Sequence, residues 1–200
     1  VNGVCLWLLR GILRREGDSL AALIDFSRAR LGRDVLWGLL WLVVLYLPFV
    51  AAVIGTMGIL FRADAFGSFE RVFAPAPGGV AAFPFWFGLA AAIATATLFP
   101  LLNAPTEELW YRGYAQRRLG AATGRPWLGI VAQALIFGAQ HLLLAPTVAG
   151  MAVYGVAFVV WGAGAGLIYH RQGRLLPLIV AHFATNFAFS LAPLIILLAT

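Results

Sequence analysis

Residues 35–61 read VLWGLLWLVVLYLPFVAAVIGTMGILF, a run without one charged side chain, with Trp37 and Trp41 near its start. A helix crosses the hydrocarbon core with roughly 20 mostly apolar residues, and it must pair its backbone polar groups within itself. The run is therefore expected to be a membrane-spanning α-helix. Working outward, further apolar runs occupy residues 80–102, 126–145, 148–169 and 175–198. Pro126 and Pro177 stand in first turns, where a proline lacks only an N–H that would have no intrahelical partner. The expected fold is all-α, a polytopic transmembrane helix bundle.

Composition agrees. Apolar residues make up 62% of the 200-residue chain and charged residues 11%, at a mean hydropathy of +0.90. Soluble domains are about half apolar and a quarter charged. So apolar a chain cannot cover its surface for water. That excludes a cytosolic enzyme, a disordered regulator and a nucleic-acid binder, despite the net charge of +6; the lipid bilayer is the implied partner. All 14 cations are Arg. With 22 Gly and abundant Ala, this usage fits GC-rich coding and a bacterial inner membrane. The single cysteine, Cys5, excludes an internal disulfide. Positive charge collects at residues 10–33, 112–125 and 171–174, which the positive-inside rule assigns to the cytoplasm. The loops at 62–79 and 146–147 then face the other side.

Residues 1–34 read as an N-terminal segment. Its apolar start, to Ile12, is too short to span alone, and a basic cytoplasmic surface stretch follows. Arg10, Arg14 and Arg15 come after the apolar run, the wrong order for a signal peptide. Residues 35–200 read as the membrane-embedded domain. Within it, residues 103–119 form a charged helix. The sequence places a break near Asn103 as its cap, Pro105 in its first turn and Gly120 at its end. Gly162 and Gly166 form a small-xxx-small pair suited to close helix packing. Trp37, Trp41, Trp127 and Trp161 read as interface anchors or packing residues, and His170 as an interface residue. Neither a Gly-rich nucleotide loop nor an HExxH motif is present.

Three polar sites interrupt these apolar helices. In Glu107-Glu108-Leu109-Trp110-Tyr111-Arg112, Glu108 and Arg112 are four apart and share a helix face, so they can pair. Glu107 lies about 100° round, without a local partner. Each charge at the membrane centre costs roughly 2.5–3.5 kcal/mol on insertion scales, so an uncompensated carboxylate there implies a task. The second site, Phe137 to His141, reads as lying well inside a span. The third, His182 to Asn186, puts an imidazole and a carboxamide four apart on one face. Helical rise puts Glu107 about 15 Å from Arg117 and His182 about 12 Å from Arg174, but His141 about 24 Å from Arg125. Three inward polar faces make a polar intramembrane cavity.

Two chemistries fit such a set. Amide hydrolysis needs a base to activate water, which a carboxylate supplies, and donors for the oxyanion, which His and Asn N–H groups supply. Alternatively, Glu and two His are familiar Zn²⁺ ligands. Spacing does not separate the two.

Glu107-Glu108-x-x-x-Arg112, Phe137-x-x-x-His141 and His182-x-x-x-Asn186, in that order within apolar helices, resemble the motifs of the CPBP intramembrane proteases. That family includes type II CAAX prenyl endopeptidases and bacterial proteins linked to bacteriocin immunity or processing. The likeness covers roughly residues 80–190, with the core motifs within 103–190, and Ala104-Pro105-Thr106 and Gly113-Tyr114 also resemble the family's surroundings. The chain is short for the family. The resemblance implies an all-helical membrane bundle with a cavity open to the cytoplasm. It implies Glu107 as the base that activates water, assisted by His141, with His182 and Asn186 stabilising the oxyanion and Glu108 and Arg112 supporting the site. It implies a glutamate protease without a cofactor, zinc being the alternative. The substrate would be a peptide or membrane-associated protein, lipid-modified or not. The rival class is a non-enzymatic immunity or transport protein that uses the same pocket for binding, although a transporter would be expected to show fold-scale repeats and none is visible.

Overall fold

The computed structural model describes residues 1–73 and 84–199. Among them the secondary structure is helical, with no strand. Among the described residues four helical stretches are long and apolar enough to cross a membrane: Leu20–Asp64, Phe85–Thr123, Pro126–Leu144 and Val148–Gln172. The apolar helix Leu176–Ala192 accompanies them. The protein is thus an all-α, multi-pass membrane protein. The expected start of the second span, at residues 80–83, and residues 74–79 of the loop before it lie outside the described residues.

The helices are α1 (Asn2–Arg15), α2 (Leu20–Ile24), α3 (Leu31–Phe61), α4 (Phe69–Phe73), α5 (Phe85–Glu108), α6 (Arg117–Thr123), α7 (Pro126–His141), α8 (Val148–Gln172) and α9 (Leu176–Ala199). A π-helical segment, Leu109–Gln116, joins α5 to α6. The described chain falls into two compact units. The first comprises residues 1–42, 84–114 and 173–199, and the second 43–73 and 115–172.

The sequence reading of residues 80–120 needs correction. The chain does not break near Asn103: α5 runs through it to Glu108, with Pro100 and Pro105 inside the helix. Proline removes one backbone donor, and in membranes Ser or Thr side chains and local adjustment re-satisfy the freed carbonyls. The Pro105 ring leaves Leu101 O without its i+4 donor, and, one residue on, the Thr106 hydroxyl donates to the Leu102 carbonyl. The irregularity falls later, in the π segment. Nor does Gly120 end the helix. Gly124 does, at φ 64 in the left-handed region that a helix C-terminus requires. Gly120 is buried where a Cβ would lie 3.3 Å from Pro126 Cα.

In the second unit the glycine-rich stretch of α8 has the packing role its spacing indicates. A Cβ at Gly162 would stand 2.9 Å from Ala134 Cα of α7. Two buried glutamines use that closeness. Gln133 Nε2 donates to Gly162 O at 2.8 Å, and Gln116 Nε2 donates to Gly166 O at 2.9 Å. Such side-chain bonds join helices where lipid offers no competing partner. Trp161 is buried against Phe49, whereas Trp127 is exposed. Thr147 Oγ1 accepts from Gly150 N and donates to Val72 O, which caps α8 and holds α4.

Candidate active site

In the first unit, α5 packs along α9. Two close approaches place α9. A Cβ at Gly38 of α3 would lie 2.6 Å from Val180 Cβ, and one at Gly113 of the π segment would lie 2.8 Å from Leu175 Cδ1. Arg174, just before α9, pairs with the buried Asp34 and lies 3.6 Å from Asp25. On the other flank, α1 docks on the π segment. Trp110 Nε1 donates to Cys5 O at 3.0 Å, Tyr114 Oη donates to Glu16 Oε1 at 3.1 Å, and Leu9 and Leu13 are buried.

This frame brings α5 and α9 polar groups together. Glu108 and Arg112 are 1% and 0% exposed, and Arg112 Nη1 donates to Glu108 Oε1 at 3.1 Å. The expected pair therefore forms, across the junction from α to π helix. His182 Nδ1 lies 2.9 Å from the same Glu108 oxygen. A carboxylate oxygen that accepts from a guanidinium accepts here too, so Nδ1 is the protonated nitrogen. His182 Nε2 then faces Glu107 Oε2 at 3.6 Å. One imidazole thus lies between two carboxylates that leave the helix about 100° apart.

Glu107 does have a local partner. Asn103 Nδ2, one turn earlier on α5, donates to Glu107 Oε1 at 3.0 Å, and Asn103 Oδ1 accepts from Asn186 Nδ2 at 2.8 Å. Glu107, Asn103 and Asn186 are half-buried, whereas Glu108, Arg112 and His182 are buried. The cluster has an inner ionic side and an outer side of carboxylate and amides. Sequence reading missed Asn103 by taking it for a helix cap. Its signal was spacing: 103 and 107 are four apart, as are 108 and 112, and 182 and 186.

His141 belongs to the second unit. It is the last residue of α7, followed by a 3₁₀ turn at Leu142–Leu144, and so is not well inside the helix as its sequence position suggested. Its ring stacks on Phe158 with centroids 3.5 Å apart. Its Nδ1 lies 2.7 Å from Phe137 O, a group that only accepts. Nδ1 therefore carries the proton, and in the neutral ring the lone pair is on Nε2.

Among the described residues no group of three His, Cys, Asp or Glu side chains is set to hold a metal ion. Glu108 already has a guanidinium and an imidazole on one oxygen. The arrangement as it stands offers a carboxylate acceptor at Glu107, an oriented imidazole at His182 and an oriented amide at Asn186.

A sequence model of the type II CAAX prenyl endopeptidase Rce1-like family matches residues 88–188, which contain all three polar motifs. No curated protein and no solved structure matches the chain.

Proposed function

This chain belongs to the Rce1-like family of type II CAAX prenyl endopeptidases, and from that premise we propose that it is a glutamate-type intramembrane endopeptidase in which Glu107 activates the attacking water. Membership implies a membrane protease acting on a peptide or prenylated protein. The observation that carries the finer reading is the position of His182, between Glu108 and Glu107.

Glu107 accepts a proton from water as the water oxygen attacks the scissile carbonyl carbon. The carbonyl π pair moves onto oxygen, and the oxyanion meets N–H donors. Asn186 gives one N–H to Asn103 and holds a second for this task. His182, oriented by Glu108 at Nδ1, donates from Nε2 when its ring carries both protons. Collapse of the tetrahedral intermediate breaks the C–N bond, and the proton held by Glu107 passes to the leaving amine. Arg112 keeps Glu108 in place as an acceptor. For His141 we propose the assisting role that the Phe137-x-x-x-His141 motif resemblance implies; within its own unit its Nδ1 donates to Phe137 O. The reaction as proposed uses no cofactor and takes place near the cytoplasmic face of a bacterial inner membrane, on the Arg-only pattern of cations.

The test is steady-state cleavage of a farnesylated CAAX peptide, and of the same peptide without the lipid, by chelator-treated protein in liposomes. We expect cleavage to persist after chelation and Asn186→Ala to lower kcat about 10²–10³-fold, as loss of one oxyanion donor does elsewhere. KM should be nearly unchanged. Loss of activity on chelation with recovery on adding zinc contradicts the cofactor-free reading. An unchanged kcat in the variant contradicts the donor role.

A further inference from the structure

We propose that Asn103 is a positioning residue that ties the Glu107 carboxylate to the Asn186 amide and sets the orientation of both. This rests on the reading of Glu107 and Asn186 given above.

An ionised carboxylate only accepts, so the Asn103 group that meets Glu107 Oε1 at 3.0 Å is its NH₂. Asn103 Oδ1 is then turned to the opposite side and can only accept. Asn186 accordingly presents Nδ2 to it, at 2.8 Å. The charge on Glu107 thereby decides which way the Asn186 amide faces, and neither amide can flip without breaking a bond. The chain of contacts also joins two helices, since Asn103 and Glu107 are on α5 and Asn186 is on α9. A base and an oxyanion donor must keep a fixed spacing through the reaction, and a shift near 1 Å can cost about 10²-fold in rate. A residue bonded to both holds that spacing without touching substrate.

The polarity can be reversed, which gives the test. Asn103→Asp is nearly isosteric and still accepts from Asn186, but it sets a second acceptor against Glu107. We expect kcat to fall about 10²-fold or more, KM to stay within about twofold, and the thermal midpoint in detergent to drop by about 2–4 °C. Adding Glu107→Gln to Asn103→Asp restores a donor to the pair, from the 107 side chain to the 103 carboxylate. The double variant should regain the lost thermal midpoint while remaining inactive. Asn103→Ala serves as the control, since it removes the link and offers nothing for Glu107→Gln to restore. A wild-type kcat in Asn103→Asp, or equal midpoint losses with no recovery in the double variant, overturns the proposal. The thermal rescue reads the 103–107 bond without any cleavage. It therefore stands even if Glu107→Gln alone proves active and the base assignment fails.

Discussion

Glu107→Gln is expected to lose cleavage by at least the 10²–10⁴-fold that a general base contributes, with insertion and thermal stability close to the parent. The geometry explains why folding survives. Asn103 donates to Glu107 Oε1, and the side-chain carbonyl of Gln accepts that bond equally well. What Gln lacks is the ability to take a proton from water. The measurement is cleavage per inserted molecule, with a cysteine-accessibility or protease-protection control for topology. Near-parental activity would remove Glu107 from the chemistry. A membrane immunity or transport protein that used the same cluster only for binding would retain its function in this variant, so the substitution also separates the two classes.

Arg112→Met is expected to cause the largest loss of stability, about 3–5 kcal/mol, because it strands a buried carboxylate. Both partners are essentially inaccessible, at 0% for Arg112 and 1% for Glu108, so solvent cannot screen the orphaned charge. The usual discount for surface ion pairs does not apply. Adding Glu108→Gln should recover most of the loss, since the amide is neutral and its Oε1 still accepts from His182 Nδ1. Chemical unfolding in a fixed detergent checks both. A single variant within about 1 kcal/mol of the parent contradicts a buried ionic pair, as does a double variant no more stable than the single.

Much of this architecture could be read from the chain because lipid imposes a simple rule, that long uncharged runs become helices. The uncharged run at 35–61 lies within a helix that begins one turn earlier, at Leu31, and ends at Phe61. The Glu108–Arg112 pair was legible for the same reason: four-residue spacing is local geometry. The continuity of α5 through Asn103 was not legible, because Asn with Pro two residues later is a sound helix start in water. Inside an apolar helix the chain instead continues through Pro105 to Glu108 and passes directly into the π segment. The 105-residue reach from Trp110 to Cys5 and the 140-residue reach from Arg174 to Asp34 depend on tertiary placement. Periodicity carries no information about such contacts. Asn103 belongs between these cases. Its partner Glu107 is local, its partner Asn186 is not, and only together do they mark it as part of the site.

Oxygen tracing tests most directly whether the Glu107 carboxylate activates water rather than attacking the substrate itself. In a single turnover in H₂¹⁸O with the enzyme in excess, the account expects ¹⁸O in the new carboxyl group of the product and none in Glu107, read by mass spectrometry of both. Label in the Glu107 side chain, with unlabelled product from the first turnover, would contradict it.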